Sequence, residues 1–157
     1  MAKTDLKTCV VFRSSLFNVN WPNRELGVES MEELGRDCAE FLAQQLRGRN
    51  GITDIGNAER EDWGWSFDVT LGGEMYVLNI SGTMGPQPIY WWSVQILPIG
   101  FFSWLLRRPR KHFAELLKIV DQVLISTVGI SDVTWTTVKE YLLLPDVQTL
   151  EAKRKGR

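Results

Sequence analysis

The chain has 157 residues and a formal net charge of −1, with 44% hydrophobic and 24% charged residues. That length and balance fit one hydrophobic core and exclude extended disorder and a membrane bundle. The near-neutral charge supplies no field to gather polyanions, so nucleic acid is not an expected partner.

In chain order, Met1 to Val11 carries Lys3, Asp5 and Lys7 and no apolar run long enough for a secretory signal, which implies cytoplasmic residence. Lys7 to Phe12 reads as a strand, and Asn18, Asn20, Pro22 and Asn23 as a loop. Ser30 with Glu33 makes a capping box. It opens a helix whose inner stripe is Met31, Leu34, Cys38, Phe41, Leu42 and Leu46, and Gly48 ends it. Cys9 falls in the strand and Cys38 on the stripe, so both are expected as buried free thiols.

An acidic run, Glu59, Glu61 and Asp62, leads into the most regular segment of the chain. There Trp63, Trp65, Phe67, Val69 and Leu71 alternate with Gly64, Ser66, Asp68 and Thr70, the period of a half-buried strand. Gly72 and Gly73 supply a two-residue hairpin loop, and Glu74 to Ser81 returns from it. The loop length fixes the register: Val69 faces Tyr76, Phe67 faces Leu78 and Trp65 faces Ile80 on one side of the sheet. On the other side Asp68 lies beside Val77 and Ser66 beside Asn79.

Tyr90 to Leu97 continues the meander, with Trp92, Val94 and Ile96 inward and Trp91, Ser93 and Gln95 on the polar face. Ile89 to Leu106 carries no formal charge and precedes Arg107, Arg108, Arg110 and Lys111, as a membrane span does. Its strand-like alternation, Pro98 and Gly100 argue instead for a strand and a turn, with Phe101 to Leu106 covering the sheet or forming an apolar patch. Membrane insertion is therefore not expected. Pro109 to Thr127 reads as a second amphipathic helix ended by Gly129, and Asp132 to Leu142 as a last strand rich in Val, Thr, Trp and Tyr.

These elements predict an α+β fold: residues 1–146 form a single two-layer domain in the order β-α-β-β-β-β-α-β. Its mainly antiparallel sheet has about five to six strands and both helices on one face. Residues 147–157, with Lys153, Arg154, Lys155 and Arg157, form a basic and flexible C-terminal tail.

Motifs for catalysis are absent. The single histidine, His112, stands in the first turn of the second predicted helix beside Lys111, a surface position with no triad partner in the nearby sequence. No phosphate-cradling glycine loop and no Gly-x-Gly-x-x-Gly occurs, and no cofactor is expected. Gly64 to Asp68 echoes a nucleophile elbow, yet it alternates as a continuous strand and lacks the second glycine.

What remains is a surface. Charge beside an aromatic anchor gives both steering and a hot spot, so Glu59, Glu61, Asp62, Trp63, Asp68 and Trp91 are the candidate partner-binding residues, with Trp91 and Trp63 as exposed anchors. Seven tryptophans are far above ordinary usage, and most are expected in the core. The expected function is a non-catalytic protein-binding module for a partner bearing basic residues. It resembles, in size, acidic patch and aromatic richness, small bacterial immunity or adaptor proteins. The alternative is a small hydrolase or ligand-binding enzyme working through Glu61, Asp62 and Asp68.

Overall fold

The computed structural model describes residues 6–17, 34–83, 90–100 and 111–142. Seven strands and three helices follow in the order β1 (Cys9–Ser14), α1 (Arg36–Leu46), β2 (Ile52–Ile55), β3 (Glu59–Glu61), β4 (Gly64–Leu71), β5 (Glu74–Thr83), β6 (Tyr90–Pro98), α2 (Phe113–Ser126), β7 (Ile130–Thr136) and α3 (Val138–Leu142). One antiparallel sheet holds all the strands, ordered β2-β4-β5-β6-β1-β7, with β3 also paired to β4.

The central hairpin has the register that alternation and loop length dictate. Trp65 pairs with Ile80, Ser66 with Asn79, Phe67 with Leu78, Asp68 with Val77 and Val69 with Tyr76. Gly72 and Gly73 take φ of 59° and 79°, the positive values that a two-residue loop matched to the strand twist requires. Phe12, Trp65, Phe67, Tyr76, Leu78, Ile80, Trp92 and Val94 thus share one sheet face. Against it pack Cys38, Leu42 and Leu46 of α1 and Leu116, Val120 and Leu124 of α2. Cys9 and Cys38 are free and buried; burial pushes the Cys9 thiol up to about 12 and Cys38 well above its ordinary value.

The polar hairpin end is fastened to α2. Tyr76, fully buried and stacked on Phe113 at 5.5 Å, donates its hydroxyl to Glu74, whose Oε2 also accepts the backbone N–H of His112 at 3.1 Å. Glu74 therefore caps α2 from another element, where negative charge is favoured. The Tyr76 hydroxyl, then the backbone N–H groups of His112 and Lys111, hold its carboxyl below the ordinary value of 4.5. A carboxyl that is more acidic folded than unfolded stabilises the fold fully above its unfolded pKa. That contribution is lost as pH falls through the folded value. Glu74→Gln is accordingly expected to flatten the fall in stability on acidification below about pH 4.5, measured by denaturation at a series of pH values. An unchanged acid limb would contradict the capping role.

Four sequence expectations are corrected. The sheet has seven strands rather than five or six, because Ile52–Ile55 is a strand that alternation hides. A register shift between Ile52 and Asp54 lets both Ile52 and Ile55 pack inward although they stand three apart. The helix predicted from Ser30 begins at Arg36, and Ser30 to Glu33 lie outside the described residues. The last strand stops at Thr136: Thr137 and Glu140 form a reciprocal capping box, with Glu140 N–H to Thr137 Oγ1 at 3.1 Å and Thr137 N–H to Glu140 Oε2 at 3.2 Å. The short α3 that follows sets Tyr141 against Val11 and Trp91 on the second sheet face, so the arrangement is not simply two layers. Phe101 to Leu106 and the tail 147–157 lie outside the described residues.

Candidate functional site

The acidic run forms an edge. Glu59, Arg60 and Glu61 pair with Ser66, Trp65 and Gly64, so Glu59 and Glu61 stand on the second sheet face and Arg60 on the helix side. Asp62 and Trp63 make the turn into β4. Trp63 is 56% exposed, while its carbonyl accepts the Ser81 hydroxyl at 3.2 Å, so an exposed indole sits on a fixed backbone. The following Gly64 is obligatory. Its φ is 153°, and a Cβ added there would lie 2.1 Å from the Ile80 carbonyl oxygen.

Asp68 is exposed two residues beyond Ser66 on the same face. Gly56 lies beside it: its N–H donates to the Asp68 carbonyl at 2.9 Å, and a Cβ added there would stand 3.6 Å from the Asp68 Cβ. Asp54, across from Thr70, joins the same face. Successive rows of this face, about 7 Å apart at the two-residue strand repeat, therefore each carry one carboxylate: Asp54, Asp68, Glu59 and Glu61. Asp54 was not legible as a member, because the strand that places it was not. Glu61 accepts the hydroxyl of the buried Ser66 at 3.1 Å, whereas Asp54, Glu59, Asp62 and Asp68 are exposed.

Trp91 does not belong to this surface. It is only 4% exposed, covered by Tyr141 and by Arg13, whose guanidinium lies 5.6 Å from the ring centroid. Ser93 is buried beside it and shares a 2.9 Å hydrogen bond with the Tyr141 hydroxyl. The polar face thus carries exposed carboxylates toward β2 and β3 and is covered in its middle. The covering element is the helix that the capping box creates.

His112 is the N-cap residue of α2, with Nδ1 3.0 Å from Glu115 Oε2 and its backbone bonded to Glu74. Glu74 lies 38 positions away in sequence, so no local signal could have shown it. Among the described residues no group of three or more His, Cys, Asp or Glu could hold a metal ion, and no helix is long and apolar enough to cross a membrane. The segment weighed as a membrane span supplies β6, an interior strand. Compared with profiles of protein families, with curated proteins and with solved structures, the chain matches none.

Proposed function

We propose that the protein is a non-catalytic binding module, an adaptor or inhibitor that engages a protein partner bearing basic residues. Its contact surface is the β2–β3 edge: Glu59, Glu61, Asp62 and Asp68, with Trp63 as the aromatic anchor. The observation that carries this reading is the exposed Trp63 ring, set on a pinned turn and flanked by carboxylates. An indole that loses water against a partner supplies affinity, and the surrounding charge sets approach rate and selects the partner's sign.

The experiment is charge reversal followed by co-purification from the native cell and by association kinetics with the protein recovered. Glu59→Lys with Asp62→Lys is the suitable pair, since both side chains are exposed; Glu61 is less so because its reversal also breaks the bond to buried Ser66. The pair is expected to leave stability within about 0.5 kcal/mol, to slow association at least about tenfold and to weaken its salt dependence. Unchanged association would sink the proposal.

A further inference from the structure

We propose that Thr137 to Tyr141 form a two-state strap. In one state the segment is the helical turn α3, which holds Tyr141 over Trp91. In the other it prolongs β7 alongside residues 6–8 and bares Trp91. This device stands apart from the acidic surface and concerns the covered middle of the second face.

The helical state hangs on few contacts. α3 has five residues, too few for a helix to persist without caps and tertiary packing. Glu140 Oε2 accepts the Thr137 N–H at 3.2 Å and the Thr136 hydroxyl at 2.8 Å, and the Glu140 N–H reaches the Thr137 hydroxyl at 3.1 Å. Tyr141 supplies the packing, against Val11 and Trp91, together with the 2.9 Å hydrogen bond to Ser93. Composition opposes the turn, since Thr136, Thr137, Val138 and Tyr141 all favour strand.

The extended state has a place prepared for it. β7 pairs with β1 as far as Thr136 opposite Cys9, so one and two further steps set Thr137 beside Thr8 and Val138 beside Lys7. The Thr8 carbonyl accepts the Ile96 N–H at 2.9 Å, toward β6. Backbone groups of successive residues in an extended chain point to opposite sides, so the N–H and C=O of Lys7 face the β7 side. Among the described residues no strand pairs with Lys7 there, and Val138 in that place would exchange both bonds with it. The same alternation turns Tyr141 away. Val133 and Trp135 pack toward the helices, so a continued strand puts Thr137, Lys139 and Tyr141 on that side too. With α3 in place Trp91 is 4% exposed; with β7 prolonged, Trp91 and Val11 lose the cover of Tyr141 and lie bare beside the Arg13 guanidinium.

The test follows the full chain by NMR, in the parent and in Thr137→Val with Glu140→Thr. That pair removes both halves of the capping box and keeps strand-forming residues. It is expected to shift the balance about tenfold toward the extended state and to leave that state the major one. Carbon shifts at Val138 and Lys139 should move from helical toward extended values, and exchange at the Lys7 amide should slow at least about twofold. The Trp91 indole signal should become open to a soluble paramagnetic agent. Thr137→Val alone removes one hydroxyl and should move the same three signals the same way by less, which keeps the test decisive if the pair impairs folding. Val138→Ala, added to either variant, should move them back, since alanine favours helix over strand. Helical shifts retained in whichever variant folds, with Trp91 still covered, would overturn the proposal. So would loss of the helical turn without protection at Lys7, because α3 would then merely fray.

Discussion

Phe67→Ala and Leu78→Ala are each expected to lower the stability of the fold by about 3 kcal/mol in chemical denaturation. The two side chains face each other across the central hairpin, 2% and 0% exposed, at the centre of the layer between sheet and helices. Truncating either removes buried area and leaves a cavity, because α1, α2 and the neighbouring strands are held by their own contacts and collapse only in part. Since the two cavities adjoin, the double variant should fall short of or exceed the sum by at least about 0.5 kcal/mol. Asp68→Ala, from the position after Phe67 on the exposed face, should stay within about 0.5 kcal/mol of the parent. A loss below about 1 kcal/mol for either core variant would refute the register, and with it the placement of every residue on the second face.

Gly64→Ala is expected to cost about 3 kcal/mol, a far larger effect than an added methyl group has at an ordinary surface position. The new Cβ would meet the Ile80 carbonyl oxygen at 2.1 Å, and the backbone φ of 153° is one that residues with side chains rarely adopt. Relief requires β4 to part from β5 at this end. That movement carries away the Trp63 carbonyl and breaks its bond from Ser81. On the proposed reading, the variant should therefore lose partner binding more severely than Trp63→Ala. Gly73→Ala, where an added Cβ meets nothing within 4 Å, isolates the cost of a positive φ alone and should destabilise by about 1 kcal/mol. Equal effects at the two glycines would show that the close approach at Gly64 is not what fixes the turn.

The parts of this fold that sequence reveals are those where one local rule acts alone. Trp63 to Leu71 alternates without a break, and Gly72-Gly73 allows one loop geometry, so the register of β4 and β5 follows from the residues. β2 is hidden because its bulge spaces Ile52 and Ile55 by three, matching neither the strand nor the helix period. Missing it also hides Asp54, which that strand sets on the second face across from Thr70. At the other end of the chain two rules compete. Val133, Thr134, Trp135, Thr136 and Val138 favour strand, yet Thr137 and Glu140 cap a helical turn, and the capping box prevails. Alternation alone puts Trp91 in water. What covers it is Tyr141, a contact fifty residues away that no periodicity within β6 encodes.

The charged run was legible in its position and ambiguous in its meaning. Acidic side chains on an outer strand discourage association of identical edges, and the same charges favour a basic strand. The structure adds the face that each residue occupies, the exposure of Trp63 and the tie between Glu61 and Ser66. These separate the exposed Glu59, Asp62 and Asp68 from Glu61, which is engaged within the chain.

Photo-crosslinking from two positions tests the central claim most directly. A photoreactive residue replaces Asp62, beside Trp63 on the β3–β4 turn, or Gln122, exposed on α2 in the helical layer. After irradiation in the native cell, the Asp62 position is expected to capture a discrete protein whose contact segment is basic, and the Gln122 position is expected not to capture it. Capture of the same protein from Gln122 and not from Asp62 would contradict the assignment of the β2–β3 edge as the binding surface.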